Sequence, residues 1–268
     1  MIRCQSVENV SSVVGYLRRD VVANLGLLMS LERNVPAVPK MLWAAYDAGD
    51  SLCGLALREE FPHGACTDLR ADRPEALAAL LDCPAIAAAR VVVPDHLRAM
   101  LLEQLPQAKL GGEVIVMTAA AGDVRPVESP YAVRRLGVAD LAAAQRFPSQ
   151  GRREPPLARY VEWAQSKPDL YAVFGLTLGE EIACYAQFSL QLDGVWEVIM
   201  IRTRAEHQGK GLAKAVLSAA SREMLAGPRA RTLVYSVDFE NVPSRRTAEA
   251  VGYRECCRRL SYQLPQRA

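Results

Sequence analysis

What this 268-residue sequence lacks narrows it first. No stretch approaches the roughly 18 consecutive apolar residues that cross a bilayer as a helix. The run Val21–Ser30 is too short and is interrupted by Asn24. The opening Met1-Ile2-Arg3-Cys4-Gln5-Ser6 has no apolar core of the kind a secretory signal carries. The expected setting is therefore the cytoplasm, with no membrane association. Only three histidines are present, and His63 and His96 stand apart from any carboxylate or cysteine pattern. The seven cysteines show no metal-ligand spacing, and Cys256 and Cys257 are adjacent. In a reducing cytosol they stay thiols. No metal site is expected, and no Cys/His pattern supports cysteine catalysis. The basic residues form no block and are not interleaved with aromatics, which make up 6% of the chain. Nucleic acid is therefore not an expected partner.

What is present suits a soluble chain with a sizeable core: half the residues are hydrophobic and 23% are charged. The length is comfortable for two domains. The net charge of +2 hides an asymmetry, because residues 1–130 carry 12 Lys/Arg against 16 Asp/Glu and residues 131–268 carry 20 against 14. A basic C-terminal half fits an anionic ligand. The change falls at Arg125-Pro126-Val127-Glu128-Ser129-Pro130, which has two prolines and no periodicity and reads as a linker. The expected domains are 1–125 and 126–268.

In the first half, Val10, Val13, Val14 and Leu17 share one helical face, and Val21, Val22, Leu25 and Leu28 another. Met41–Tyr46 and Leu52–Leu57 flank the turn residues Asp47-Ala48-Gly49-Asp50, a hairpin signature. Helices are expected at Pro74–Leu81 and Asp95–Gln104, and strands at Arg90–Val93 and Val114–Thr118. In the second half, strands are expected at Tyr131–Leu136, Tyr171–Leu176, Ile182–Leu190, Val195–Thr203, Arg231–Val237 and Tyr253–Tyr262. Asp193-Gly194 marks a tight hairpin turn. Helices are expected at Val138–Arg146, Leu157–Gln165, Leu212–Leu225 and Ser244–Ala250. Both halves run through helices, hairpin, strand, helix and strand, which suggests a duplicated fold without a residue-level repeat.

The most specific local feature is Gln208-Gly209-Lys210-Gly211-Leu212-Ala213, between an expected strand and an expected helix. A helix N-terminus presents unpaired N–H groups and partial positive charge. Glycines let the backbone curl round an anion with no Cβ in the way. Gly209 and Gly211 are placed to do this, Lys210 adds a cation, and Ala213 is small where the first turn lies near a ligand. The spacing of a nucleotide P-loop and the three-glycine dinucleotide fingerprint are both absent.

These residues resemble the pyrophosphate loop of the GNAT superfamily of N-acetyltransferases, Gln/Arg-x-x-Gly-x-Gly/Ala, at every fixed position. Downstream, Asn241-Val242-Pro243-Ser244 and Ala248-Glu249-Ala250-Val251-Gly252-Tyr253 resemble two further elements of that family. The resemblance covers about 131–262. It implies an α+β fold, a mixed and mainly antiparallel sheet flanked by helices, with two such domains in tandem. It implies acetyl-CoA as cofactor, held by backbone groups near Ile201, Arg202 and Thr203, by the loop Gln208–Ala213, and by Asn241 with Ser244 close by. The implied reaction is direct attack of a primary amine, on a small molecule or a protein, upon the thioester. The other reading is a non-catalytic acyl-CoA-binding sensor or interaction module. A homodimer is an admissible assembly.

Glu197 on the expected strand Val195–Thr203 is the candidate base, since related histone acetyltransferases carry a glutamate at the matching place. Burial among Val195, Val198 and Ile199 would raise its pKa. Simple alternation puts Glu197, Ile199, Ile201 and Thr203 on one face and Trp196, Val198 and Met200 on the other. Many members have a tyrosine that protonates the leaving thiolate where this chain has Ala248. Tyr235 and Tyr253 are the substitutes within reach of the pattern. His207 is given no role, and Arg152, Arg153 and Glu154 are acceptor-side candidates. The first half has no such loop. Val93-Pro94-Asp95-His96-Leu97-Arg98 stands in its place, and Asp95 would repel a pyrophosphate. This half is expected to be a degenerate GNAT-like domain, or another α/β domain, that does not bind the cofactor.

Overall fold

The computed structural model describes residues 2–34, 36–62, 64–84, 90–148, 155–192 and 194–264. They fall into two compact units, Met1–Ile115 with Cys256–Ala268, and Val116–Glu255.

The first unit contains β1 (Arg3–Ser6), α1 (Ser11–Leu17), α2 (Leu25–Arg33), β2 (Lys40–Tyr46), β3 (Leu52–Phe61), β4 (Gly64–Ala71), α3 (Pro74–Leu81), β5 (Arg90–Pro94), α4 (Arg98–Gln104) and the start of β6 (Lys109–Ala119). Strand order is β1-β2-β3-β4-β5, and β5 is followed by β12 (Arg254–Gln263), the last strand of the chain. The pairs β1–β2, β2–β3, β3–β4 and β5–β12 are antiparallel, while β4–β5 is parallel. The expected hairpin forms, its turn closed by Asp47 Oδ1 accepting from Gly49 N (2.9 Å) and Ser51 N (3.0 Å). On one face Leu69, Ala71, Leu77, Leu80, Val93 and Leu260 form a buried core.

Two strands of this unit, β1 and β4, escape the periodicity. In β4 the reason is chemical. Arg70 is 6% exposed, and its Nε donates to Asn24 Oδ1 (2.7 Å) while a second guanidinium nitrogen meets Asp68. Charged residues thus lie on an inward face and satisfy one another. The sequence there reads as polar although the strand is largely buried.

The second unit contains the end of β6, then β7 (Val133–Arg135), α5 (Leu141–Gln145), α6 (Leu157–Ser166), β8 (Tyr171–Leu178), β9 (Glu181–Leu192), β10 (Val195–Thr203), α7 (Leu212–Ala226), β11 (Thr232–Asp238) and α8 (Val242–Val251). Strand order is β7-β8-β9-β10-β11-β6. The pairs β7–β8, β8–β9 and β9–β10 are antiparallel and β10–β11 is parallel. Both units are thus mixed, mainly antiparallel sheets flanked by helices, and they share one pairing plan: antiparallel, antiparallel, antiparallel, parallel, then one further strand. In the first unit that strand is β12; in the second it is β6.

The segment 125–130 lies inside the second unit. Ser218 Oγ donates to Arg125 O (2.7 Å) and accepts from Val127 N (3.1 Å). The expected helices over 95–104 and 138–146 each open with a 3-10 turn, and the expected strand over 131–136 shortens to β7. α7 buries nine side chains, including Leu212, Val216, Ala220 and Met224, against the sheet, and α5 and α6 cover the opposite face, where Leu157 and Val161 of α6 and the nearby Phe147 share a core with Tyr185 of β9. Asp193, half of the expected turn, lies outside the described residues; Gly194 beside it has φ +81°.

Candidate active site

The parallel ladder between β10 and β11 is short. It pairs Val195 with Thr232, Trp196 with Leu233 and Glu197 with Val234, then stops, although β10 runs on to Thr203 and β11 to Asp238. Beyond this fork the two strands part, and the opening leads into a cleft of about 520 Å³.

Register along β10 corrects the expected alternation. Its pairing with β9 shifts between Val198, opposite Phe188, and Met200, opposite Gln187. Ile199 is the extra residue of a β-bulge and is 43% exposed. Side chains that are direct cross-strand partners share a face. Glu197 therefore lies with Met200 and Arg202, opposite Ser189, Gln187 and Tyr185. Trp196, Val198, Ile201 and Thr203 lie on the other face. The bulge turns the Ile201–Thr203 segment over relative to Glu197, which simple alternation cannot foresee.

After β10, Arg204 anchors the turn. It is 8% exposed, its Nε donates to Ile182 O (2.9 Å), a second nitrogen donates to Arg146 O (3.0 Å), and its guanidinium lies 5.4 Å from the Phe147 ring. A 3-10 turn over Ala205–His207 then delivers the glycine loop. Gly209 and Gly211 have φ of +77° and +78°, values that L-residues rarely adopt. A Cβ at either position would project into open space with nothing within 4 Å. Gly211 is the N-cap of α7 and supplies no side-chain cap, and the first turn holds no acidic residue. The first-turn N–H groups are thus left to a ligand or water.

Ten of the eleven expected cofactor residues line this one cleft: Ile201, Arg202, Thr203, Gln208, Gly209, Gly211, Leu212, Ala213, Asn241 and Ser244. Lys210 is the exception; its Nζ lies 3.3 Å from His207 Nδ1. Sequence reasoning passed over His207, Lys214, Pro243 and Thr247, which also line the cleft, and left Tyr235 as one of two substitutes. Among the described residues no acidic side chain lines it, while Arg202, Lys214 and His207 do. A glycine cradle over a capless helix end, with cations and no carboxylates, fits a pyrophosphate.

Asn241 has a structural duty as well: its Oδ1 accepts from Ser244 N (3.3 Å) and caps α8. Ser244 Oγ lies 2.5 Å from Tyr235 OH. Burial pushes the Tyr235 phenol up, partly countered by Ser244 and by the Arg202 charge. Glu197 does not line the cleft. It sits at the last rung before the fork and accepts from Ser236 Oγ at 2.8 Å. Tyr253 belongs to the core: it is 2% exposed and its hydroxyl lies 2.8 Å from Ser221 Oγ. Ala248 is fully buried. Arg152, Arg153, Glu154 and His63 lie outside the described residues. Among the described residues no group of His, Cys, Asp and Glu could hold a metal ion, and no helix is long and apolar enough to cross a membrane.

In the first unit β5 runs into Pro94 and a 3-10 turn, Asp95–Leu97, before the seven-residue α4. Among the described residues, neither a glycine of positive φ nor a long helix N-terminus directly follows that strand.

Residues 138–253 match the family model described as the acetyltransferase (GNAT) family. No curated protein matches the chain. Among solved structures the chain is similar to an acetyltransferase of the GNAT family from Colwellia psychrerythraea, at 13% identity and a TM-score of 0.68, over 98% of this chain and 100% of that one. A GCN5-related N-acetyltransferase from Sphaerobacter thermophilus aligns at 14% identity and a TM-score of 0.64, over 97% and 94%. A tandem GNAT protein from the clavulanic acid biosynthesis pathway aligns at 14% identity and 0.61, over 98% of both chains. At these identities the likeness is one of fold, and it extends through both units.

Proposed function

We propose, from the GNAT acetyltransferase domain carried at residues 138–253, that this protein is an acetyl-CoA-dependent N-acetyltransferase acting on a primary amine of a small molecule or protein. The observation that carries this reading is the cleft itself. A fork in the sheet, an uncapped helix end and two left-handed glycines converge on one carboxylate-free cavity. Held there, the cofactor supplies an activated acetyl thioester. The N–H groups from Gly209 to Ala213 hold its pyrophosphate, Arg202 and Lys214 add positive charge, and the Ile201–Thr203 segment beyond the end of the ladder offers its backbone to the arm. Asn241 and Ser244 close the cleft from α8. The cofactor belongs to the 126–268 part of the chain. The 1–125 part carries none, because Pro94 and Asp95 stand where a cradle would be needed.

Glu197 is the base of this reading. The acceptor nitrogen must shed a proton as it forms the new N–C bond, and a carboxylate at the fork, oriented by Ser236, can take it directly or through water. Incubation with acetyl-CoA and a panel of amines, following free thiol release, tests the activity. E197Q is expected to lower turnover by about 10²–10⁴-fold without weakening CoA binding. One observation favours the non-catalytic acyl-CoA-binding module: the α8 position that carries a hydroxyl in many relatives is here the buried Ala248. CoA binding without turnover across a broad panel, indifferent to E197Q, would establish the module instead.

A further inference from the structure

Acyl transfer from a thioester moves two protons of opposite sense: one leaves the attacking nitrogen and one reaches the departing sulfur. The fork has a group for each. Val234 is the last residue of β11 in the parallel ladder, opposite Glu197, and Ser236 on the same side of the strand donates to that carboxylate. Tyr235, between them in sequence, projects to the opposite face. It is the only tyrosine lining the cleft among the described residues. A carboxylate and a phenol thus flank the point where the strands part, one on each face.

Resting on the acetyl-transfer reading, we propose that Tyr235 is the group that protonates the leaving sulfur, held for the task by Ser244. The two hydroxyls lie 2.5 Å apart, and either can donate. When Ser244 Oγ–H donates to the phenolic oxygen, the phenolic proton is left for the cleft. Ser244 is itself held through its backbone N–H by Asn241 Oδ1, at the capped start of α8. The other hydroxyls nearby are committed elsewhere. Thr247 Oγ1 donates to Pro243 O (2.9 Å) and Thr203 Oγ1 to Cys184 Sγ (3.2 Å). Ala248, one helical turn beyond Ser244 on the same stripe of α8, has no hydroxyl to give.

The acceptor nitrogen bonds to the carbonyl carbon and the carbon–sulfur bond breaks, its electron pair leaving on sulfur. Tyr235 passes its proton to that sulfur, and the nitrogen sheds its own proton toward Glu197. The phenolate, held by the Ser244 hydroxyl and within the field of the Arg202 charge, regains a proton from solvent. Burial keeps the phenol protonated at neutral pH, so the donor form is the resting one.

The test reads binding, so it needs no known acceptor. CoA and desulfo-CoA are titrated into the full-length protein by calorimetry at pH 9, where part of the CoA thiol is ionised. The wild type is expected to prefer CoA by about tenfold, the scale of a hydrogen bond to a charged group. Y235F is expected to bind both ligands alike. S244A, which removes a single oxygen and carries the test if Y235F fails to fold, is expected to fall between. An undiminished preference for CoA in both variants, or no preference in the wild type, overturns the role of Tyr235 and leaves acetyl transfer standing. Failure of the wild type to bind either ligand overturns both readings.

Discussion

Substituting alanine at three left-handed glycines separates a backbone requirement from a ligand requirement. Gly179, Gly209 and Gly211 have φ of +60°, +77° and +78°, and at all three a Cβ would meet nothing within 4 Å. Gly179 sits in the turn between β8 and β9 and does not line the cleft; the other two do. Each alanine suffers the left-handed penalty of about 1–2 kcal/mol, and loss of unfolded-chain freedom returns about 0.4–1 kcal/mol. The three variants should therefore lose about 1 kcal/mol alike, a fall of about 2–4 °C in Tm for units of this size. Ligand response should divide them. CoA at a hundred times its Kd stabilises a protein by about 2.7 kcal/mol, some ~5–10 °C here. If a methyl group at 209 or 211 occupies space the pyrophosphate needs and weakens binding about a hundredfold, the same concentration returns only about 0.4 kcal/mol, near 1 °C. Differential scanning fluorimetry with and without CoA reads both quantities in one experiment. A full CoA response in G209A and G211A would show that the phosphates do not sit on this loop. A lost response in G179A would show that the effect is not local.

Three further outcomes follow from individual side chains. Asp140 accepts from Arg134 (2.6 and 2.8 Å) and from Gly137 N (2.8 Å), and the Arg134 bonds hold its carboxyl below the ordinary 3.8. The folded state favours the ionised form, so this stabilisation is complete above pH ~4 and fades as pH falls through the lower folded value. D140N should thus be less stable than wild type by about 1 kcal/mol at pH 7, at the low end because Arg134 is half exposed, and the gap should close as acid protonates the Asp140 carboxyl, as urea titrations would show. Burial pushes the Cys184 thiol up to about 12, so iodoacetamide at pH 8 should leave it unmodified while the exposed Cys256 reacts; peptide mapping that finds Cys184 labelled first would contradict its burial. R204A strips partners from the carbonyls of Ile182 and Arg146 and should cost about 2–3 kcal/mol, read as a lower urea midpoint.

The features legible in the sequence are those set by contiguous residues. Gly209 and Gly211 could be read because an anion-binding helix end makes its backbone demands within six residues. The hairpin about Asp47–Asp50 could be read because Asp47 bonds to its own turn. The bulge at Ile199 could not, since it exists only in the register between β10 and β9, and the side of the sheet that Glu197 faces changed with it relative to Ile201 and Thr203. β4 was hidden because Asp68 and Arg70 lie inward and neutralise one another, so a buried strand carries a surface composition. Tyr235 was legible as a residue and not as a site, because its contact with Ser244 joins a strand to the following helix through side chains alone. The partner of the last strand was also beyond reading: nothing local in Arg254–Gln263 specifies β5.

That last pairing has a consequence for how the chain is made. β12 lies against β5 with Leu260 opposite Val93 and Tyr262 opposite Val91, and both residues of β12 are buried in the first unit's core. During synthesis, the ribosome releases β1 to β5 long before β12 exists. The early unit must wait with one strand edge open and part of its core exposed while the whole later unit is translated. Such long-range closure is slow, and an open edge invites pairing with other chains. The expected order of events inverts the order of the sequence: the second unit, whose strands β7 to β11 are contiguous in the chain, can consolidate first, and the first unit locks last. A chain truncated before Arg254 and released from the ribosome should then show a protease-resistant second unit and a protease-sensitive first one.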